Sequence, residues 1–257
     1  MKQLNVSVDT RDRETLRSAR MKDTTRILFL SANPLATGRI LVDEEAREIA
    51  ERLDEGPCRE QFQLHKHAAT TPGDLQKLLL KHQPHIVHFS GHGSKEHKLI
   101  LSGPKGRGTK VDQAGLAKLF ALYNRNLRLV LLNACFTSTQ ARSISEVVQY
   151  SIGTSRPIGD KVGVAFAGAF YLALGFGQSV REAFDSAIAE LRLTKAPRSR
   201  GFQLFVQKGI SETDRFPTLP AEQLGRQRGV KRSAVTTRLR YQVTIHQTIQ
   251  QTVLVQP

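Results

Sequence analysis

His92 and Cys135 are the two residues of this sequence whose types and positions suggest covalent chemistry. His92 follows the apolar segment 85–90, and Cys135 follows the apolar segment 127–133. If both segments are parallel strands of one sheet, their carboxyl ends meet at one edge and bring the two side chains together. A thiolate there attacks a carbonyl group, while an imidazole activates the thiol or protonates the leaving amine. The spacing therefore predicts acyl transfer. The alternative is that Cys135 is a small core residue and that the histidine occupies a simple turn.

Small residues surround this pair. Gly91 and Gly93 flank His92, and we expect them to allow a tight turn that leaves backbone N–H groups unobstructed. Ala134 and Ser138 leave room around the cysteine. Backbone N–H groups at such an edge can stabilise the oxyanion that forms when a thiolate attacks a carbonyl.

The elements that must position these residues alternate along the chain. Short apolar or alternating segments predict strands at 27–31, 61–68, 85–90, 98–102, 127–133, 147–153 and 202–208. Helical spacing of apolar residues predicts helices at 43–56, 71–83, 112–124, 137–146, 159–177 and 179–193. This order is typical of an α/β domain with a mostly parallel sheet covered on both faces. We assign it to residues 26–210, after a polar lead-in (1–25) and before a basic extension (211–257).

The charge of the chain is concentrated near its end. Residues 192–257 contain 12 basic and three acidic residues, so this region carries +9 of the net charge of +15. A solvated tail and a surface for an acidic partner both explain this distribution. Nucleic acid is the less favoured partner, because Phe216 and Tyr241 are the only aromatic residues beyond Lys208 to stack on bases.

Two further features bear on the compartment. No apolar run reaches the roughly 18–20 residues that span a bilayer, and the first residues lack the apolar stretch of a secretory signal. The two cysteines do not form a disulfide scaffold. We therefore expect a cytoplasmic protein without a membrane partner.

Several segments together resemble a known family. HIVHFSGHG, followed about 40 residues later by LVLLNAC, resembles the caspase-like cysteine peptidases, a group that includes caspases, separases and gingipains. Within that group the chain is similar to the bacterial CHAT domains. The similarity includes TRILFLSANPLATGRILVDEEAREI, CFTSTQA and IGTSRPIGDKVGVAFAGAFYLALGFGQSVREAFDSA. It therefore covers residues 26–210.

The resemblance implies a fold, a reaction and a setting. It implies a three-layer α/β/α sandwich in which Cys135 is the nucleophile and His92 the general acid and base. It also implies an oxyanion hole formed by the backbone N–H groups of Gly93 and Cys135, and chemistry that needs no metal or cofactor. The expected function is a cysteine endopeptidase that cleaves a protein partner in regulated proteolysis or bacterial antiviral defence. Because this chain lacks the TPR repeats often fused to such domains, we expect activation by a separate protein, by the tail or by oligomerisation.

Substrate choice depends on Asp160. Some members of the group bind a basic P1 residue through an acidic pocket residue, and Asp160 is a candidate by its position after SRPIG. The favoured alternative is that Asp160 caps the following helix. Specificity for a basic or an apolar P1 residue therefore stays open.

The remaining chemistry-bearing residues have simpler explanations. His85, His88 and His92 suggest a metal site, but positions 85 and 88 of a strand point to opposite faces, so we predict no metal there. We assign no role to Cys58. The competing function is a non-catalytic scaffold or interaction module whose basic tail binds an acidic protein or nucleic acid. That alternative predicts that deletion of 211–257 abolishes the function, whereas Cys135→Ala does not.

Overall fold

A computed structural model describes residues 24–34, 40–196, 201–213 and 215. It contains eight strands: β1 Thr25–Ala32, β2 Phe62–His67, β3 Ile86–Gly93, β4 Leu99–Ser102, β5 Gly108–Lys110, β6 Leu129–Asn133, β7 Tyr150–Thr154 and β8 Phe202–Val206. The helices are α1 Val42–Asp54, α2 Pro72–His82, α3 Gln113–Ala121, α4 Ser138–Ile144, α5 Asp160–Gly175 and α6 Val180–Leu193. None of the described helices is long and apolar enough to cross a membrane.

The sheet is mostly parallel, as the sequence pattern predicts. Its order is β2-β1-β3-β6-β7-β8, and only β8 on this path runs antiparallel to its neighbour. Beyond the sheet, β3 pairs with β4 and β4 with β5, both antiparallel. Strand β5 was not predicted from the sequence, because its three residues show no apolar pattern.

Helices cover both faces of the sheet and make the three-layer α/β/α sandwich that was expected. One face packs against α1, α5 and α6, and its core includes Ile86 of β3 and Leu131 of β6. The other face packs against α2, α3 and α4, and its core includes Val87 and Leu132. Since both faces are buried, the central strand β6 is continuously apolar from Leu129 to Leu132 rather than alternating.

Local sequence explains where the helices begin and end. Ser179 and Glu182 form the predicted capping box of α6, with the Ser179 N–H donating to Glu182 Oε2 at 2.9 Å. Thr71 and Asp74 form a second box at the start of α2. The predicted lead-in (1–25) and basic extension (211–257) lie, except for residues 24–25, 211–213 and 215, outside the described residues.

Candidate active site

His92 and Cys135 lie at the same edge of the sheet. Strands β3 and β6 are parallel neighbours, and their last paired residues are Ser90 and Asn133. His92 and Cys135 each follow two residues later, beyond the carboxyl ends of the paired segments. The geometric expectation from the sequence is therefore met, although the catalytic roles of the two residues stay predictions.

The Gly-His-Gly segment is part of a strand, so the expectation of a tight turn is wrong. Strand β3 continues through Gly93, with His92 opposite Ile100 and Gly93 opposite Leu99 of β4. The glycine at 93 serves a close approach instead. A Cβ atom there would lie 1.7 Å from the carbonyl oxygen of Cys135, so only glycine lets the two chain segments touch.

The pairing with β4 also orients the Gly93 N–H. Ser94 N–H bonds to Lys98 C=O at 2.9 Å, which makes the neighbouring Gly93–Leu99 pair a non-hydrogen-bonded one. The backbone groups of Leu99 bond to other partners than β3: its N–H donates to Gln140 Oε1, and its C=O accepts from Val111 N–H. The Gly93 N–H therefore points away from β4, an orientation compatible with the predicted oxyanion hole.

The loop that carries Cys135 is held firmly on both sides. The Ala134 carbonyl accepts hydroxyl bonds from Thr137 at 2.9 Å and from Thr154 at 2.5 Å, and both threonines are fully buried. Phe136 has a positive φ of 59°, a strained conformation for an aromatic residue. His97, at the tip of the β3–β4 hairpin, places Nδ1 3.0 Å from the Phe136 carbonyl oxygen. The half-buried Cys135 thus lies in a bent loop that hydrogen bonds support from both sides.

A cleft with a volume of about 60 Å³ lies beside this loop. Its polar lining consists of His92, Cys135, Asp160, Glu45, Ser90 and Asn133. Ile40, Leu41, Ile158 and Val164 supply apolar walls. The Cys135 Sγ lies 3.8 Å from the Ile158 carbonyl oxygen, to which its S–H donates. The structure therefore brings the predicted site residues His92, Cys135 and Asp160, which are far apart in the sequence, to one cleft.

The floor of the cleft is a buried polar network that the sequence analysis missed. Glu45 accepts hydrogen bonds from Ser90 Oγ at 2.5 Å, from Asn133 Nδ2 at 2.5 Å and from His88 Nε2 at 2.7 Å. The other ring nitrogen of His88 lies 3.2 Å from the Tyr171 hydroxyl. Burial and the nearby Glu45 raise the pKa of Tyr171 well above its ordinary value, so the phenol stays protonated.

One signal in the sequence points to this network. Glu45 precedes Ile49 by four residues and Leu53 by eight, so it falls on the apolar face of α1. Ser90 lies two residues before His92 on β3 and is paired with Asn133 of β6, so these polar side chains face one side of the sheet. An acidic residue on a buried helical face needs polar partners, and these were the polar residues available at the strand ends.

Asp160 lies at the rim of the cleft. Gly159 occupies the N-cap position of α5, and no side-chain hydrogen bond caps this helix, so the interpretation of Asp160 as the cap is wrong. Asp160 is instead the first helical residue and is exposed. A carboxylate in this first turn still interacts favourably with the helix dipole.

His85 and Cys58 do not line the cleft. His85 Nδ1 accepts the backbone N–H of Arg26 at 3.0 Å, and burial lowers the pKa of His85 to about 4, with further lowering by Arg26 and Arg128. Cys58 is fully buried, and burial raises the pKa of its thiol. Over the described ranges, no three His, Cys, Asp or Glu side chains are arranged to hold a metal ion.

Comparisons with known proteins agree with this architecture. The family model described as "CHAT domain" matches residues 4–203. A protein of Gillisia limnaea named "Probable protease" is 21% identical over 166 residues, which is 63% of this chain and 29% of that protein. A "Roc-COR-CHAT protease" from an unknown prokaryotic organism is 24% identical over 204 residues, which is 76% of this chain and 19% of that protein. The chain therefore spans less than a third of the length of either relative.

Among solved structures, the chain is similar to the Arg-specific cysteine proteinase gingipain R. The TM-score is 0.52 at 11% sequence identity, over 78% of this chain and 53% of that one. At this identity the similarity concerns the fold.

Proposed function

This chain belongs to the CHAT domain family, and we propose that it is a cysteine endopeptidase that cleaves a protein partner through Cys135 and His92. One observation carries the proposal. The two side chains line one cleft at the carboxyl edge of parallel strands, and the Gly93 backbone contacts that of Cys135. Both relatives named above are described as proteases, which supports the same reaction class.

The proposed reaction proceeds in two steps. The Cys135 thiolate attacks the scissile carbonyl carbon and forms a C–S bond, while the carbonyl π electrons move to oxygen. Collapse of this intermediate breaks the C–N bond, and the His92 imidazolium gives its proton to the departing amine. A water molecule, deprotonated by His92, then attacks the thioester and releases the carboxylic acid with regeneration of the thiolate.

The oxyanion of each tetrahedral intermediate is bound by the backbone N–H groups of Gly93 and Cys135. The orientation of Gly93 supports this assignment, because its N–H is directed away from β4. Preorganised donors of this kind act without reorganising during the reaction, and each contributes about 10²–10³ to the rate constant of comparable enzymes.

Asp160 favours a basic side chain at the P1 position. Its carboxylate is exposed on the rim of the cleft that contains Cys135. It does not serve as the N-cap of α5, because Gly159 occupies that position. Asp160→Asn should therefore reduce cleavage after Arg and Lys relative to apolar residues. Asp185→Asn, on the exposed face of α6, is the matched control that changes the same charge outside the cleft.

The biological setting follows from the resemblance alone. Regulated proteolysis or bacterial antiviral defence, with a separate activating protein, is the setting that the family similarity favours. A pull-down with Cys135→Ala protein as a trap, followed by mass spectrometry, tests for a bound protein substrate. Release of that partner as fragments by the parent protein would identify the substrate.

The catalytic assignment is tested with an unbiased peptide library and mass-spectrometric detection of cleavage. The parent protein, Cys135→Ala, His92→Ala and the control Cys58→Ala are compared at equal concentration. We expect cleavage by the parent and by Cys58→Ala, and loss of at least about 10³-fold in the other two variants. Cleavage by Cys135→Ala at the parental rate would contradict the assignment of Cys135 as the nucleophile, whereas absence of cleavage by the parent would favour a scaffold function.

A further inference from the structure

Glu45 connects the two strands that carry the proposed catalytic pair. One of its carboxylate oxygens accepts from Ser90 of β3, and the other accepts from Asn133 of β6 and from His88 of β3. All four side chains are more than nine-tenths buried. Both oxygens of this buried side chain therefore have hydrogen-bond partners inside the protein.

The register of the sheet places the two strand residues that bond to Glu45 next to each other. Ser90 and Asn133 are paired across β3 and β6, and each precedes a proposed catalytic residue by two positions. Ser90 and His92 lie on the same face of β3, whereas Cys135 follows β6 in a turn. Glu45, which comes from a separate helix, therefore connects the two strand ends two residues before His92 and Cys135, and it lines the same cleft as these two residues.

Helix α5, which packs on the same face of the sheet as α1, also contacts the network. A Cβ atom at Gly163 would lie 3.0 Å from the Asn133 amide nitrogen, so the helix backbone packs directly on this side chain. Tyr171 of the same helix contacts His88, and the rings of these two residues lie 5.6 Å apart. The orientations of Asn133 and His88 are thus set by packing as well as by hydrogen bonds.

From this arrangement we propose that Glu45 is a positioning residue that sets the separation of His92 and Cys135. The inference rests on the proposed function, because it concerns the geometry of that catalytic pair. Glu45 acts through Ser90 and Asn133 and takes no part in bond making. Misplacement of a catalytic group by about 1 Å can cost about 100-fold in rate, so loosening this contact should lower kcat more than substrate binding.

A purely structural role predicts a different result. In that case removal of a hydrogen bond lowers thermal stability but leaves kcat of the folded molecules unchanged. The chain offers a matched pair for this comparison. Ser90 and Ser151 are both buried strand residues, and the Ser151 hydroxyl donates to the Ala141 carbonyl at 2.5 Å, the same length as the Ser90 bond. Ser151 is not part of the cleft lining.

The experiment measures kcat and KM of Ser90→Ala and Ser151→Ala on the peptide that the parent cleaves fastest in the library. Concentrations are corrected for the folded fraction by circular dichroism, and melting temperatures are recorded. We expect similar losses of melting temperature, a decrease of about tenfold or more in kcat for Ser90→Ala alone, and an unchanged KM. Equal kcat values in the two variants would overturn the inference.

Two substitutions of Glu45 complete the test. Glu45→Leu should lower kcat by about 100-fold. Glu45→Gln should recover at least about tenfold of that loss, because its carbonyl can accept from Asn133 and its amide can donate to Ser90. A Glu45→Gln variant as slow as Glu45→Leu would contradict a positioning role. Parallel assays of Cys135→Ala distinguish failure of the proposed function from failure of the inference about Glu45. Activity of Cys135→Ala would contradict the peptidase assignment and would carry no information on Glu45.

Discussion

The contact between Gly93 and Cys135 gives the sharpest test of the cleft geometry. In Gly93→Ala the new Cβ atom would lie 1.7 Å from the Cys135 carbonyl oxygen, and real Cβ atoms essentially never approach closer than 3.0 Å. The two segments must therefore separate by about 1.3 Å, the difference between these distances. Displacement of a catalytic group by about 1 Å can cost about 100-fold in rate. We therefore expect kcat/KM to fall about 100-fold, equivalent to about 2.7 kcal/mol of transition-state stabilisation.

The assay compares Gly93→Ala with Gly73→Ala in helix α2. A Cβ atom at Gly73 meets only the Thr71 hydroxyl at 3.8 Å, an ordinary contact, so this control adds the same methyl group without strain. Initial rates of peptide cleavage give kcat/KM, and circular dichroism with thermal melting gives the folded fraction. If folded Gly93→Ala retained kcat/KM within about threefold of the parent, the close contact would not constrain the catalytic pair, and the reasoning from Gly93 would be refuted.

Three further predictions concern thiol access, pH and capping. In the native protein, iodoacetamide should alkylate the half-buried Cys135 and spare Cys58, which is fully buried and has a raised pKa, as peptide mapping by mass spectrometry will show. Burial and nearby arginines lower the pKa of His85 from 6.5 to about 4. As the pH falls below 6.5, the unfolded chain therefore binds a proton at His85 before the folded protein does. The contribution of neutral His85 to the free energy of unfolding is present in full above pH 6.5 and is lost as the pH falls towards 4. Urea titrations of His85→Asn should show a flatter dependence in this range. Ser179→Ala should lower the free energy of unfolding by about 1 kcal/mol without changing kcat, because it removes the hydroxyl that accepts the Glu182 N–H.

Each of these predictions has an opposing outcome. Equal alkylation rates of Cys58 and Cys135 would contradict the burial of Cys58. A pH dependence of stability identical to that of the parent would show that His85 does not titrate as described. A large loss of kcat in Ser179→Ala would mean that the cap of α6 influences the cleft.

Elements with strong local signals could be predicted from the sequence. The apolar segment before Cys135 forms a central strand, and the Ser179–Glu182 spacing forms a capping box, because each depends on interactions within a few residues. The order of strands and helices also limited the fold to an α/β sandwich, since parallel strands require helical crossovers. His92 and Cys135 could be named as a pair because they end two strands of this kind.

Two other features went against the local preferences of their residues. Gly91 and Gly93 are typical of a turn, but β4 pairs with this segment and extends β3 through it. Asp160 has the type of a capping residue, yet the helix begins one residue earlier than a cap at that position requires. For the glycine segment, the pairing with β4 outweighs the local preference for a turn.

The sequence by itself determined the elements, their order and the identity of the two residues proposed to react. The tertiary structure decided how those residues meet. Glu45 lies 43 residues from His88 and 88 residues from Asn133, and its hydrogen bonds to them form only when α1 packs on the sheet. A buried carboxylate is stable only with such donors around it. For this reason the polar network beneath the cleft forms only when α1 packs on the sheet, whereas the strands that carry His88, Ser90 and Asn133 could be predicted from the local sequence.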